Sequence, residues 1–478
     1  MTSVAAKTAS RYVDDEVVQR LLKAMDFSVF FATAMFYTAT FASRPDAPNG
    51  TSIIAFFALA LAFLCLLLLR DLGLYKASAL VNGNWTFLKS AAAVIIAGAA
   101  AYKSLDYFLI PLEAPWFLYW TLVITMHLAL SRLAAQAWAR PIASQGRFRK
   151  RIAIVGGGRV ADDALHVLEA SRDLEIEVIG LFDDRDEVRS APPNHDHKKI
   201  GTINDLATYA RNNRVDLIIV AIPLSAEARL LYILKRLWEL PVDIRISGKA
   251  SSLKFSSKAY TYIGHLPLLA VFDRPLMGWA LFLKNVFDRV IASAAIIVLA
   301  PVMLAVAVSI RLESKGPVLF KQKRYGFNNE LIEVFKFRSM YADRCDAHAT
   351  TLVSKGDPRV TRVGRFIRKT SLDELPQLFN VLTGQLSLVG PRPHATQAKA
   401  ADTLYEQVVD GYFARHRVRP GITGWAQING WRGETDTREK IEQRVKHDLD
   451  YIDHWSLMFD VKILMRTPFA LLKSENAY

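Results

Sequence analysis

The sequence predicts an α-helical membrane bundle, then an α/β Rossmann-like domain, then a second α/β domain entered through a re-entrant membrane helix. Three observations carry that prediction. Apolar residues crowd positions 24 to 140, whereas 141 to 280 and 311 to 478 have the mixed composition of soluble protein. A glycine cluster follows a short β-branched run that begins at Arg151. A further apolar stretch, 290 to 310, holds Pro301 near its middle. At 478 residues the chain has room for two or three domains.

The bundle, residues 1–140, comes first. Segments near 24–42, 52–69, 89–110 and 115–134 each approach the roughly 20 residues that a helix needs to cross the hydrocarbon core. Arg11, Arg20 and Lys23 precede the first segment, Arg70, Lys76 and Lys89 lie between the second and third, and RPIASQGRFRKR follows the fourth. The opposite loops are poorer in Lys and Arg, so both ends of the bundle are expected in the cytoplasm. The first 23 residues are polar and charged and lack the apolar core of a signal peptide. A formal charge of +14 calls for an anionic partner. The cations flanking the spans, together with phosphate chemistry, account for it, so no nucleic acid is expected. Two cysteines, Cys65 in an apolar run and Cys345 in a polar one, support neither a disulfide framework nor a thiolate metal site.

The middle domain, 141–265, opens with RIAIVGGGRVADDALHVLEA; IEVIGLFDD and VDLIIVAIP follow as buried strands between helical stretches. That alternation predicts a parallel sheet. Gly156, Gly158 and Ala161 make a G-x-G-x-x-A spacing, with Asp183 and Asp184 after a later strand, as in a dinucleotide fingerprint. A tight strand-to-helix turn needs glycine with or without a ligand, and the spacing alone does not separate the two readings.

Residues 274–285 read as amphipathic, and VIASAAIIVLAPVMLAVAVSI, 290–310, is long enough to span. A full crossing would put 311–478 outside the cell, away from nucleotides. Proline removes a backbone donor and kinks or breaks a helix. A re-entrant helix over about 286–310, bending at Ala300 and Pro301 and returning to the cytoplasmic face, is therefore expected; a fifth, kinked span is the alternative.

The chemistry concentrates in TSLDELPQLFNVLTG. Leu375, Leu378, Phe379 and Leu382 share one helical face, and Gly384 marks a stop. Ser371 and Glu374 match a capping box, which would reduce both to satisfying free amides. The alternative leaves Asp373 at a helix start beside Arg368 and Lys369, as a nucleophile toward phosphorus or a ligand for Mg²⁺. Three more segments lean toward phosphate. Lys336 and Arg338 in FKFRSM share a face of a strand, Arg392 stands between two prolines in GPRP, and Arg419 and Arg432 flank a turn-rich loop that contains Trp425. Together they describe a cationic pocket beside two carboxylates.

Through KFRSM, LDELPQLFNVL, LSLVGPRP and RPGITGWAQINGWRGET, residues 275–478 resemble the catalytic unit of the bacterial sugar transferases, the monotopic phosphoglycosyl transferases. The whole organisation is similar to the large form of that family, and INGWRGET and ENAY are similar to its glucose-transferring branch. The resemblance implies a bacterial inner-membrane, multi-pass enzyme with its catalytic domain on the cytoplasmic face. It implies transfer of hexose-1-phosphate, glucose-1-phosphate first, from a UDP-sugar to undecaprenyl phosphate, with release of UMP at the start of exopolysaccharide, capsule or O-antigen synthesis. Galactose or an N-acetylhexosamine is the alternative sugar, and a membrane-anchored nucleotide-sugar sensor is the non-enzymatic alternative.

The family dyad falls on Asp373 and Glu374, implying Asp373 as the nucleophile of a covalent phosphosugar intermediate, with Mg²⁺ beside it. The resemblance implies Arg368, Arg392, Arg432 and Asp448 on the substrate side, and the cationic segments add Lys336, Arg338 and Arg419. Small members carry two basic residues before Phe-Asp at the start of the re-entrant helix; here Lys284 is kept and Asn285 holds the second position. The lipid bilayer is the implied surface partner, and a homo-oligomer is compatible with the sequence.

Overall fold

The computed structural model describes residues 14–41, 50–82, 86–107, 114–170, 176–185, 199–223, 225–248, 260–263, 265–342, 357–393, 399–400, 403–404, 409, 412–431 and 437–473. The chain divides into two compact units, Met1–Lys150 and Arg151–Tyr478.

The first unit is helical. It contains α1 (Asp15–Phe41), α2 (Gly50–Asp71), the short α3 (Ala77–Asn82), α4 (Thr86–Tyr107) and α5 (Ala114–Ser144). Ala58, Leu61, Cys65 and Leu69 on α2, and Trp120, Ile124 and Leu128 on α5, recur every three or four residues and are buried together with Phe30 and Ala34 of α1. The opposite faces are also apolar: Phe56, Leu59 and Phe63 on α2 and Leu118, Leu122, Met126 and Leu130 on α5 are exposed. A helix that is apolar all round needs an apolar solvent. Among the described residues two helices are long and apolar enough to cross a membrane, Leu118–Ser144 and Gly278–Glu313. The bundle also buries a polar cluster that the sequence pattern did not reveal. Asp26 accepts from Tyr75 Oη at 2.8 Å and Arg132 Nη2 at 2.7 Å, and lies 3.1 Å from His127 Nε2.

The second unit begins with a seven-stranded sheet. Its elements are β1 (Lys150–Val155), α6 (Arg159–Ala170), β2 (Ile176–Phe182), β3 (Lys199–Gly201), α7 (Ile203–Asn212), β4 (Leu217–Val220), α8 (Glu227–Leu237), β5 (Asp243–Ser247), β6 (Tyr260–Ile263) and β7 (Leu266–Phe272). The order is β3-β2-β1-β4-β5-β7-β6; β1 pairs with β4 and β4 with β5 in parallel, while β7 and β6 extend the sheet antiparallel. The reversal between β1 and β4 is the switch point at which such sheets bind ligands. Gly156 there has φ +104, and a Cβ on it would stand 2.7 Å from the Ala221 carbonyl oxygen, so the backbone just after β4 demands a glycine. Asp183 is engaged by Arg185 Nε at 2.8 Å and Arg229 Nη2 at 2.6 Å.

The catalytic part follows. The long helix α9 (Gly278–Glu313) leads into the hairpin β8 (Leu319–Tyr325) and β9 (Leu331–Phe337), then α10 (Arg362–Lys369), a 3₁₀ turn at Leu372–Glu374, α11 (Gln377–Thr383) and β10 (Ser387–Val389). After the two-residue strands β11 (Lys399–Ala400) and β12 (Thr403–Leu404) come a 3₁₀ segment at Tyr412–Arg417, β13 (Gly421–Thr423), α12 (Trp425–Ile428), α13 (Arg438–Asp453) and α14 (Leu457–Lys473).

Helical hydrogen bonding continues where the sequence reading placed a bend. The amphipathic 274–285 segment and the apolar stretch form one helix of 36 residues, continuous through Ala300 and Pro301, both of which are exposed. One missing donor does not end a helix whose neighbouring turns stay hydrogen-bonded on both sides. Both ends of α9 pack on the same body. Ala292 joins Leu378, Val381, Leu388, Val389 and Tyr451, whereas Val306 and Ile310 pack on Phe337 and Ile367. Near its start, buried Lys284 reaches Asp288 at 3.2 Å, Asp460 at 2.8 Å and the Val389 carbonyl at 3.1 Å. At its end, Glu313 accepts from the Arg362 and Val363 amides of α10 at 2.7 and 3.1 Å.

The sheet and the catalytic part are bonded to each other. At the hairpin tip Asn328 and Asn329 are left-handed, φ 54 and 61. Asn328 Nδ2 donates to the Ala210 and Arg211 carbonyls at the end of α7, at 3.2 and 3.3 Å. Arg417 Nη2 donates to the Asp273 carbonyl at 2.6 Å, and His416 meets Asn329 Oδ1.

Candidate active site

The segment TSLDELPQ folds as a turn. Ser371 is left-handed, φ 58, and its side chain caps nothing; Leu372–Glu374 form one 3₁₀ turn, and Pro376 is the N-cap of α11. No capping box forms, which frees both acids for other work. Gly384, left-handed at φ 78, ends α11 where the sequence placed the stop.

The two carboxylates have different surroundings. Glu374 Oε1 receives Lys336 Nζ at 3.1 Å and Arg392 Nη2 at 2.5 Å, and Arg392 Nη1 reaches Oε2 at 3.3 Å, a two-pronged clamp of the kind that fits guanidinium to carboxylate. The Asp373 carboxylate has no hydrogen-bond partner among the described residues. Burial pushes its carboxyl up, Lys336 pulls it down, Glu374 pushes it up, and Arg368 and Arg392 pull it down; the net lies above the ordinary carboxylate value. Arg368, in the last turn of α10, faces Asp373 electrostatically, and its guanidinium has no hydrogen bond among the described residues. A half-buried carboxylate with few donors around it is poorly solvated and flanked by cations. That is the setting of an activated oxygen nucleophile.

The strands explain how the cations arrive. In the β8–β9 ladder Phe320 faces Lys336, Gln322 faces Val334 and Arg324 faces Ile332, so Gln322, Arg324 and Lys336 share one face of the ribbon. Arg324 was not among the residues singled out from sequence. It lies within electrostatic reach of Arg392, Glu374 and Asp373, and burial, then Arg392, bring it down to about 10 against the pull of the two acids. Buried Asn380 stitches α11 to β9, accepting from the Phe335 amide at 2.9 Å and donating to the Glu333 carbonyl at 2.7 Å.

The remaining sequence-selected residues lie at varying distances from this centre. Arg338 is buried and donates to the Ser314 and Lys315 carbonyls at 2.8 Å each, bracing the end of α9. Arg419 donates to the Asn285 side chain near the start of α9. Asp448, fully buried, pairs with Arg415 at 2.6 Å, and Arg415 Nη2 donates to the Arg392 carbonyl at 2.8 Å; Asp448 therefore reaches the clamp through an intermediary. Trp425 stacks edge-on to Phe459 and donates to Asp450 at 2.9 Å. Arg432 lies outside the described residues. Of the cations chosen from sequence, the structure thus brings Lys336, Arg368 and Arg392 to the two acids and places Arg338 and Arg419 elsewhere, while Arg324, Gln322 and Arg415 emerged only from the fold.

Residues 279–474 match the family model described as bacterial sugar transferase, and residues 71–248 match one described as a CoA-binding domain. A Komagataeibacter xylinus protein named undecaprenyl-phosphate glucose phosphotransferase is 40% identical over 333 residues, 70% of this chain and 61% of that one. The Escherichia coli K12 protein named UDP-glucose:undecaprenyl-phosphate glucose-1-phosphate transferase is 36% identical over 403 residues, 84% of this chain and 82% of that one. An Aeromonas hydrophila protein named UDP-N-acetylgalactosamine-undecaprenyl-phosphate N-acetylgalactosaminephosphotransferase is 47% identical over 198 residues, 41% of this chain and 45% of that one.

Proposed function

Because the chain belongs to the bacterial sugar transferase family, we propose that it transfers hexose-1-phosphate, glucose-1-phosphate by preference, from a UDP-sugar to undecaprenyl phosphate. The observation that carries this reading is the asymmetric dyad, with Glu374 clamped by Lys336 and Arg392 and Asp373 left without a donor. An Asp373 oxygen attacks the phosphorus bonded to the sugar. The bond from that phosphorus to the bridging oxygen breaks, and UMP leaves with the electron pair. A phosphate oxygen of the lipid then attacks the aspartyl phosphate, restoring the carboxylate and giving sugar-diphosphate lipid. Two easier displacements replace one exchange between poorly miscible substrates.

Arg368 is placed to meet the arriving phosphate, and Lys336 and Arg392 keep Glu374 from repelling it. The donor set suits Mg²⁺, which takes one or two protein carboxylates and completes its shell with substrate phosphates and water. Among the described residues no group of three or more His, Cys, Asp or Glu forms a cage, and Asp373 is the carboxylate available to hold it. When bound it would offset diphosphate charge.

The proposal places the site at the cytoplasmic membrane face, with α9 re-entrant. Length does not decide this, since 36 residues make about 54 Å of helix, more than the roughly 30 Å of hydrocarbon. The flanking bodies favour it. Asn328 and Arg417, after α9, hydrogen-bond the backbone of Ala210, Arg211 and Asp273, before it, and a helix crossing fully would put these partners on opposite sides.

The Escherichia coli relative's name favours glucose, and the Aeromonas hydrophila relative's name favours N-acetylgalactosamine as the second reading. The test offers purified protein radiolabelled UDP-glucose, UDP-galactose and UDP-N-acetylgalactosamine with undecaprenyl phosphate and Mg²⁺. The expected result is UMP release and labelled lipid with UDP-glucose; no release with any of the three overturns the reading.

A further inference from the structure

Arg392 is carried on a strap, Pro391–Arg392–Pro393, in which every carbonyl is bonded. Pro391 O accepts from the Gly421 amide at 2.9 Å, Arg392 O from Arg415 Nη2 at 2.8 Å, and Pro393 O from Arg324 Nη1. The two prolines have no N–H to offer any neighbour. The strap is thus held through its carbonyls by three different elements: β13, the 3₁₀ segment Tyr412–Arg417 and β8.

The two arginine anchors are themselves fixed. Arg415 sits against Asp448, and Arg324 Nε and Nη2 both donate to Gln322 Oε1, at 3.1 and 2.8 Å. Among the described residues the hydrogen bonds of the Arg324 guanidinium go to Gln322 and Pro393, and none goes to the dyad. A guanidinium–carboxylate fork depends on orientation, so a strap free to tilt would loosen the Arg392–Glu374 clamp.

We propose that Arg324, together with Arg415, is a positioning residue for the transfer reaction. It locks the strap so that the Arg392 fork closes on Glu374 and leaves Asp373 as the unbonded carboxylate. The inference rests on the reading of Asp373 as the attacking group.

Arg324→Lys separates position from charge, because an ammonium keeps the cation but cannot span Gln322 and Pro393 together. UMP release is measured against UDP-glucose concentration for the full-length wild type, Arg324→Lys, Arg392→Lys and the double variant. A displaced strap predicts a kcat loss of about tenfold to a hundredfold and a KM for UDP-glucose changed less than about twofold. The double variant should be no worse than Arg392→Lys, because both substitutions act on one clamp. Losses that multiply in the double variant, or an Arg324→Lys enzyme with wild-type kcat, overturn the proposal. Should Arg324→Lys fail to fold, Gln322→Leu removes the acceptor that orients Arg324 and is judged on the same readouts. Intact-protein mass spectrometry of wild type with UDP-glucose alone keeps the two ideas apart. No adduct on Asp373 with UMP still released defeats the nucleophile reading, while an adduct with multiplying losses defeats the positioning role.

Discussion

Glu374 commits both oxygens to Lys336 and Arg392, while Asp373, one residue earlier, has no hydrogen-bond partner among the described residues. Asp373→Asn should therefore abolish turnover and adduct formation with the melting temperature unchanged or slightly raised, since a half-buried charge is removed and no bond is lost. Intact mass and thermal unfolding in detergent check both halves. Lys336→Met removes a cation that pulls the Asp373 carboxyl down, so the acid limb of the activity profile should move to higher pH; a limb that stays or moves down contradicts the assignment. At this scale the sequence exposed the acids through LDELP and the stiff Arg392 through its two prolines. Arg324 stayed hidden because KQKRY reads as a run of surface charge. Only the strand register turns Gln322 and Arg324 inward and Lys321 and Lys323 outward, and that register depends on a ladder of seven residue pairs, about 20 Å of ribbon, not on local composition.

The elements were legible where periodicity was strong. The strands of the sheet and the stop at Gly384 follow from β-branched runs and from a residue that tolerates positive φ. The start of the dyad helix did not follow, because Lys336 and Arg392 draw Glu374 away from Ser371 and the capping pattern is overruled by tertiary contacts. The 3₁₀ segment Tyr412–Arg417 makes a prediction of its own. Burial, then the charges of Arg415 and Arg211, bring His416 down from 6.5 to about 3. The unfolded chain takes up a proton below about 6.5 that the folded one refuses until about 3, so this group withdraws stability as pH falls through that window. His416→Asn should lower the melting temperature at pH 7.5 yet flatten its decline between pH 7 and pH 5; an unchanged slope would remove His416 from the account.

For the whole molecule, composition separated an apolar bundle from two α/β bodies, since helices apolar on several faces stand out in a sequence without reference to a partner. Sequence did not reveal that helical hydrogen bonding runs on through Pro301, because a proline inside an apolar run reads the same whether the flanking turns hold or part. Nor did it reveal the bonds between the sheet and the catalytic part, which join residues more than a hundred positions apart. Those bonds make topology testable. A single cysteine placed at exposed Lys369 in a cysteine-free background should resist a membrane-impermeant maleimide in intact spheroplasts and react after permeabilisation; labelling of intact spheroplasts would mean that α9 crosses completely. The same junction has a further effect. Asn328 and Arg417 grip main-chain carbonyls at 210, 211 and 273, groups that any amino acid supplies. The seam consequently tolerates drift in most side chains of the middle body, and chimeras that graft this body from a relative should assemble whenever the α7 terminus keeps its length and the cation at 211 that lies over the Phe413 ring.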